Sequence, residues 1–291
     1  MPTSIAQAIL EGTHTLRQSG VPEARREAGS LLSHVISRDQ SFLITHAEDA
    51  VGDDNLDTFS ELLDRRAAGE PLQYLVGRQE FFSLEFEVTP DVLIPRPETE
   101  LLVENALNLV PGRDAKVSIC DVGTGSGCIV VSLLHELPNA RAIALDLSPA
   151  AIEVAKRNAA RNSVGDRLEF LVSDCFSGLR DTDGPFDLVV SNPPYVPTGH
   201  IEGLQREVRN HEPHLALEAG PDGLSVIRRL LSDVGNHLKG GGHFLFEMGF
   251  DQGEAVRRLI EPMEQSGDWK LVDIYPDLQG IPRTVALRKL S

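Results

Sequence analysis

The first 75 residues carry apolar positions at helical spacing, separated by short polar breaks. Residues three or four apart share one face of a helix, so this spacing predicts amphipathic helices. The apolar positions that recur in this way are Ile5, Ala8, Ile9, Leu16, Ala28, Leu31, Leu32, Val35, Phe59, Leu62 and Leu63. Residues 20–22 and 51–54 are polar or Gly/Pro-containing breaks. The pattern predicts a small helical bundle over residues 1–75, whose role is either recognition or packing.

The stretch 76–97 has a different pattern. Apolar and polar side chains alternate over residues 80–88, which predicts a short β-hairpin. Pro90, Pro95 and Pro97 then stiffen an extended connector, because proline fixes its own φ and restricts the residue before it. We expect this segment to link the helical domain to the rest of the chain.

From residue 98 to residue 291, apolar runs that suit strands alternate with helical patterns. The predicted strands are 116–121, 140–146, 168–172, 186–191, 243–248, 269–275 and 284–290. The predicted helices begin at 128, 149 and 224, the last one running to 238. This alternation indicates an α/β fold with a doubly wound, mostly parallel sheet. The last two strands are close enough for a hairpin, so we expect one antiparallel edge strand.

Composition narrows the class of protein. Hydrophobic residues make up 41% of the 291, which is enough for a real core and two domains. No run of 18 apolar residues occurs, and the N-terminus lacks the pattern of a secretory signal. The net charge of −17 argues against direct nucleic-acid binding, since phosphates require clustered Lys and Arg. Cys120, Cys128 and Cys175 form no C-x-x-C pair, so we expect reduced thiols and a cytoplasmic protein without membrane association.

A stiff turn, Asn192-Pro193-Pro194-Tyr195, directly follows the buried strand 186–191. Proline has no N–H and holds the preceding residue extended, so Asn192 is expected to aim its side-chain oxygen outward. The turn therefore offers acceptors and an aromatic face, and almost no donors. This suits a planar group that carries an NH2. Asn192 Oδ1 and the Pro193 carbonyl would accept its two hydrogens, and Tyr195 would cover its face.

A glycine-rich loop follows the first strand of the α/β region. It reads Asp121-Val122-Gly123-Thr124-Gly125-Ser126-Gly127. Alternating glycines let a cofactor approach the backbone closely, but dinucleotide enzymes share this feature. Asp121 decides between cofactors, because its carboxylate would repel a pyrophosphate and attract the sulfonium and ammonium groups of S-adenosylmethionine (SAM). The loop and Asp121 together favour SAM over NAD.

Two further carboxylates follow strand ends. Asp146 lies 21 residues after Gly125, which matches the acidic residue that binds ribose hydroxyls in such folds. Asp174-Cys175-Phe176 follows the third strand, where a carboxylate or backbone group would meet the adenine amine and Phe176 would cover its ring. We expect all of these groups at the carboxyl ends of the strands, where open α/β sheets bind ligands.

The chain resembles the HemK-type protein-(glutamine-N5) methyltransferases, which modify peptide chain release factors. The resemblance covers most of the chain. Beyond the glycine loop, Asp146 and the N-P-P-Y turn, it is carried by residues 71–77, 92–100, 212–213, 220–224 and 246–249. The N-P-P-Y turn alone is not specific, because methyltransferases that act on adenine amino groups share it.

The resemblance implies a SAM-dependent enzyme that methylates the glutamine of a release factor's Gly-Gly-Gln loop. It implies cofactor contacts at residues 123–127, Asp146, Cys175 and Asn192, and substrate contacts at residues 192–195. We expect a monomer with a Rossmann-like methyltransferase domain over 98–291. Three alternatives stay open at this point: an adenine-N6 methyltransferase, a SAM-binding module without catalysis, and an NAD oxidoreductase.

Other polar residues carry weaker signals. Arg96 and Glu98 either order a ligand or form an ion pair between domains. Glu247, at a strand end, is interpreted as structural. His211 and His214 lack the spacing of a metal motif, so no metal is expected.

Overall fold

Five helices near the N-terminus bury the apolar faces that the sequence pattern predicts. They are α1 (Ile5–Gln18), α2 (Ala24–Val35), α3 (Gln40–Thr45), α4 (Asp53–Ala67) and α5 (Leu72–Val76). The computed structural model, which describes residues 2–291, places Leu16, Leu31 and Phe59 in one apolar core. Ser4 and Asp39 cap α1 and α3 by accepting hydrogen bonds from backbone N–H groups of the first turn. The N-terminal helical part of the predicted fold is therefore confirmed.

A seven-stranded sheet with helices on both faces forms the larger part of the chain. A two-stranded sheet of β1 (Arg78–Phe81) and β2 (Leu84–Glu87) precedes it. The strands of the large sheet are β3 (Ser118–Val122), β4 (Arg141–Asp146), β5 (Leu168–Val172), β6 (Phe186–Ser191), β7 (Leu238–Glu247), β8 (Trp269–Pro276) and β9 (Pro282–Lys289). The remaining helices are α6 (Pro97–Leu109), α7 (Cys128–Glu136), α8 (Pro149–Arg161), α9 (Arg206–His211), α10 (Ser225–Asp233) and α11 (Gly253–Gln265).

The strands lie in the order β5-β4-β3-β6-β7-β9-β8, and β3 to β7 pair in parallel. Successive residues of the central strands alternate between two apolar cores. Ile119 and Leu188 join the core beneath α6, α7 and α8, whereas Cys120 and Val189 join the core beneath α10 and α11. Burial on both faces explains why these strands read as nearly continuous apolar runs. The predicted α/β fold with a mostly parallel sheet is confirmed.

The antiparallel strand is β9, and it lies one position in from the edge rather than at the edge. Val285, Ala286 and Leu287 of β9 are fully buried, whereas the residues of β8 after Trp269 are only partly buried or exposed. The more apolar strand of the hairpin takes the inner position, because that position buries both of its faces.

Three helices, α6, α9 and α11, were not anticipated, and several element boundaries differ from the predicted ones. Pro97 begins α6 rather than ending an extended connector, since a missing N–H costs nothing in the first turn of a helix. The amphipathic helix α11 and the short helix α9 were also missed. The helix predicted over 224–238 ends at Asp233, and Leu238 instead begins β7. Within residues 2–291, no helix is both long enough and apolar enough to cross a membrane.

Helix α9 belongs to the helical unit, although it lies far from α1 to α5 in sequence. That unit comprises the chain up to Arg78 together with Gln205–His211. A buried ion pair network helps to hold α9 there. Arg66 donates from Nε to Glu27 at 2.5 Å and from Nη2 to Glu207 at 2.6 Å, and its side chain is 3% exposed.

We predict that Arg66→Met lowers the free energy of unfolding by about 3–5 kcal/mol, because it leaves the buried carboxylate of Glu27 without its cation. Arg65→Met is the matched control. It breaks the more exposed pair with Glu70, and its effect should stay within about 1 kcal/mol. Urea denaturation measures both. Equal losses for the two variants would contradict the importance of the buried network.

Candidate functional site

A cavity of about 410 Å³ opens at the carboxyl ends of the parallel strands. Most of the predicted site residues line it. They are Gly123, Thr124, Gly125, Ser126, Asp146, Asp174, Cys175, Asn192, Pro193 and Pro194. Asp121, Gly127, Phe176 and Tyr195 are not among the lining residues. The parallel alignment of β3, β4 and β6 brings together loops that are up to 70 residues apart in sequence.

The glycine loop leaves β3 in a conformation that side chains disfavour. Gly123, Gly125 and Gly127 have φ values of +74°, +55° and +81°. A Cβ on Gly127 would lie 3.2 Å from Cβ of Ala155, so this glycine also permits the close packing of α7 on α8. The loop is anchored to the next strand, because the Gly125 N–H donates to Asp146 Oδ2 at 2.8 Å.

Asp121 is a buried carboxylate, and only one of its two oxygens accepts a hydrogen bond. Its Oδ2 accepts a hydrogen bond from the Thr124 hydroxyl at 2.7 Å. Its Oδ1 is buried and has no hydrogen-bond partner within residues 2–291. Burial, with the nearby charge of Asp146, raises the pKa of Asp121 to about 7. A buried carboxylate oxygen without a donor is costly, and this carboxylate lies directly behind Thr124, which lines the cavity, so its charge favours a cationic ligand there.

Asp146 lies where β4 ends and faces the cavity. Its Oδ1 accepts from the Ser148 N–H, and its Oδ2 accepts from Gly125, both at 2.8 Å. Burial raises the pKa of Asp146, and these backbone bonds oppose the shift. Each carboxylate oxygen can accept more than one hydrogen bond, so Asp146 retains capacity for ligand hydroxyls.

The loop after β5 turns sharply at Cys175, whose φ is +51°. Asp174 forms an ion pair with Arg229 at 2.6 Å, and both residues line the cavity. Phe176 turns away from the cavity. It is 4% exposed and stacks on His237 with ring centroids 4.7 Å apart. The left-handed turn at Cys175 sends the next side chain into the core, so we do not assign Phe176 to the adenine.

Asn192 enters the cavity with its amide nitrogen already engaged. Its Nδ2 donates to Thr99 Oγ1 at 3.0 Å, and Thr99 Oγ1 donates to Glu247 Oε2 at 2.7 Å. Its Oδ1 accepts no hydrogen bond from the described part of the chain and is available to a ligand. Tyr195 donates from its hydroxyl to Glu247 Oε1 at 3.2 Å, and its ring packs against the core beneath α10 and α11. The covering role predicted for Tyr195 therefore stays a prediction.

The side chain of Gln252 forms hydrogen bonds that hold the N-P-P-Y turn in place. Gln252 Nε2 donates to the carbonyls of Tyr195 at 2.9 Å and Gly223 at 3.1 Å, and its Oε1 accepts from the Gly249 N–H at 2.8 Å. Gly223 has a φ of +72°, and a Cβ there would collide with the Tyr195 carbonyl oxygen. The segments 220–224 and 246–249, noted in the sequence only as part of a resemblance, thus have a physical role as supports of the turn.

Arg96 also faces the cavity, and its partner is Glu212 rather than Glu98. Glu212 is 4% exposed and additionally accepts from the Ile94 N–H at 3.3 Å. This carboxylate therefore fastens the proline-bounded segment 92–96 where it borders the cavity. Thr99 and Glu212 lie in segments that the sequence analysis noted only for a resemblance, and Gln252 was not noted at all. Single polar residues far apart in sequence give no local pattern that would reveal these contacts.

Two family models match the chain. Residues 7–77 match the one described as the PrmC N-terminal domain, and residues 113–268 match the one described as a methyltransferase domain. Among solved structures, a methyltransferase from Pyrococcus furiosus is similar with a TM-score of 0.53 and 17% identity. The match covers 80% of this chain and 100% of that one, and it supports the fold alone.

Full-length relatives are more informative. The chain is 40% identical to a protein of Koribacter versatilis named release factor glutamine methyltransferase, over 98% of this chain and 99% of that protein. It is 42% identical to a protein of the same name from Moorella thermoacetica, over 96% of each chain. The similarity thus spans the helical unit and the sheet alike.

Asp121 allows a test of the cofactor end of the cavity. The folded protein holds its pKa near 7, above the ordinary value of 3.8, so the ligand-free protein loses stability as pH rises from about 4 to about 7. We predict that Asp121→Asn melts at a higher temperature than the unchanged protein at pH 8 without ligand. We also predict that it binds SAM about 10–100-fold more weakly, since a hydrogen bond to a charged group contributes about 1.5–3 kcal/mol.

Thermal denaturation and calorimetry measure these two effects. The control ligand is 5′-methylthioadenosine, which lacks the ammonium group and should bind both proteins alike. Unchanged SAM affinity in Asp121→Asn would remove Asp121 from the site.

Proposed function

Because this chain belongs to the release factor glutamine methyltransferase family, we propose that it transfers a methyl group from SAM to the side-chain amide nitrogen of a release factor glutamine. The glutamine is the one in the Gly-Gly-Gln loop, and the products are N5-methylglutamine and S-adenosylhomocysteine. The observation that carries the proposal is the free acceptor atom of Asn192, which lies in the same cavity as the glycine loop and Asp146.

The N-P-P-Y turn suits the substrate amide. Asn192 Oδ1 and the Pro193 carbonyl would accept the two hydrogens of the glutamine NH2. Pro193 and Pro194 have no N–H, so neither residue presents a backbone donor that would compete for the same position. We propose that the Tyr195 ring keeps the amide plane in place while Glu247 holds the Tyr195 hydroxyl.

The opposite side of the cavity suits SAM. The Asp121 carboxylate would attract the ammonium group through Thr124, which lines the cavity, and Asp146 would bind the ribose hydroxyls. Gly123 and Gly125 leave room for the cofactor against the backbone, because no side chain projects there. Cys175 and its neighbour Asp174 would border the adenine.

The difficult part of the reaction is the weak nucleophile. SAM supplies an electrophilic methyl group, but the amide nitrogen shares its lone pair with the carbonyl, as in a peptide bond with its barrier of about 18–20 kcal/mol. As positive charge grows on this nitrogen, the hydrogen bonds to Asn192 and Pro193 strengthen, so they favour the transition state over the ground state. Correct positioning contributes further, up to about 7–11 kcal/mol in ideal cases.

No side-chain base is required. The acidic group nearest to Asn192 in the hydrogen-bond network is Glu247, and both of its oxygens already accept from hydroxyls. We propose that the surplus proton leaves to solvent after transfer, when the nitrogen has become acidic.

The adenine-N6 alternative is set aside. The relatives are named for release factor glutamine, and the net charge of −17 opposes binding to a phosphate backbone. We further propose that the enzyme works in the cytoplasm as a monomer with the release factor as its partner. Three cysteines without a disulfide are compatible with that compartment.

We predict that Asn192→Ala lowers the single-turnover rate by about 10²–10³-fold, as the loss of one preorganised hydrogen-bonding group in an active site typically does. SAM affinity should change little, because Asn192 acts on the substrate amide. Rapid-quench kinetics with a release factor and calorimetry with SAM measure the two quantities. Mass spectrometry should find one added methyl on the glutamine with the unchanged enzyme, and none on DNA or RNA. A near-normal rate in Asn192→Ala would contradict the mechanism.

A further inference from the structure

A chain of hydrogen bonds leads from the cavity to a buried carboxylate. Asn192 donates to Thr99 at 3.0 Å, and Thr99 donates to Glu247 Oε2 at 2.7 Å. Thr99 and Glu247 are each 2% exposed. We propose that Glu247 is a positioning residue that acts through Thr99 to determine which end of the Asn192 carboxamide faces the cavity. This inference rests on the function proposed above.

The two ends of a carboxamide are nearly equal in size, so packing alone distinguishes them poorly. Hydrogen bonding does distinguish them, because one end only donates and the other only accepts. A carboxylate only accepts, so Glu247 requires the single hydroxyl hydrogen of Thr99. The Thr99 oxygen can then only accept from Asn192. The NH2 of Asn192 must therefore point to Thr99, and its oxygen must point to the cavity.

The polarity of Asn192 decides whether the substrate amide can bind. A glutamine NH2 needs acceptors, and a reversed Asn192 would oppose it with another NH2. Two donors facing each other leave both without partners in a partly closed cavity, which disfavours binding and catalysis. Glu247, which is linked to Asn192 through Thr99, is thus the structural reason why Asn192 Oδ1 faces the cavity without a partner.

Two hydroxyls donate to Glu247, one to each oxygen, while burial acts against its charged form. Burial raises the pKa of Glu247, and the charge of Glu98 acts in the same direction. The hydroxyls of Thr99 and Tyr195 and the positive charge of Arg283 oppose this shift by stabilising the carboxylate. Because Tyr195 donates to the second oxygen, one carboxylate anchors the N-P-P-Y turn at both of its ends.

Thr99→Val tests the inference, because valine keeps the shape of threonine but cannot accept from Asn192. Two forms of a release factor serve as ligands, one with Gly-Gly-Gln and one with Gly-Gly-Glu, whose carboxylate offers only acceptors. Calorimetry on enzyme loaded with S-adenosylhomocysteine gives the affinity ratio of the two. The unchanged enzyme should prefer glutamine. Thr99→Val should reduce the preference about tenfold, since either end of Asn192 can then face the ligand.

Kinetics separate positioning from a general loss of structure. Thr99→Val should lower kcat about tenfold while SAM affinity stays within about twofold, and Thr99→Ser, which keeps the hydroxyl, should restore both kcat and the preference. Glu247→Met, which keeps Thr99, should also reduce the preference for Gly-Gly-Gln over Gly-Gly-Glu. The Thr99 hydroxyl is then free to donate to Asn192.

Thr284→Val is the matched control. Thr284 is fully buried on β9, opposite Glu247 in the strand register, and its hydroxyl has no hydrogen-bond partner within residues 2–291. Its loss should leave kcat and the ligand preference within about twofold. If Thr99→Val and Glu247→Met keep the full preference for glutamine, the positioning role is overturned. If the unchanged enzyme itself fails to methylate the Gly-Gly-Gln loop, the proposed function has failed instead.

Discussion

The parallel alignment of β3, β4, β6 and β7 is the constraint on which the site depends. Parallel strands end at the same edge of a sheet, so the groups that follow them meet without any need for proximity in sequence. Asp121, Asp146 and Asn192 reach the cavity region in this way, and Glu247 ends β7 behind them. Because successive side chains enter different cores, a slip of one residue would send every side chain of a strand to the opposite core.

Two buried carboxylates lie behind this edge, and they differ in how many of their oxygens accept a hydrogen bond. Glu247 accepts from two hydroxyls and thereby orients the residues around it. Asp121 accepts from one hydroxyl and leaves an oxygen without a donor. A fully paired buried carboxylate stabilises one arrangement of its neighbours, whereas the charge of a half-paired one favours a cationic ligand nearby. This difference separates the supporting role of the first from the proposed binding role of the second.

Residues far from the N-P-P-Y turn in sequence fix its position in the fold. Gln252 bridges the turn to residue 223, and Gly223 lacks a side chain because the Tyr195 carbonyl occupies that space. Prolines limit the backbone of the turn, but they do not decide where the turn lies. Its location comes from these contacts and from Glu247, which receives the Tyr195 hydroxyl.

The sequence by itself determined the fold class, the glycine loop, Asp146 and the acceptor-rich turn, because each is written in contiguous residues whose backbone preferences are local. Tertiary structure alone decided where individual side chains point. The sequence pattern predicted Phe176 as a ring cover for a ligand, yet its ring stacks on His237 in the core, and the Tyr195 hydroxyl finds Glu247 only in the folded chain. Thr99 gave no signal beyond its place in the segment 92–100, and only the fold brings it, in the first turn of α6, to the amide of Asn192. Such contacts join residues about 50 to 150 positions apart, and their energies depend on neighbours that exist only once the chain has folded.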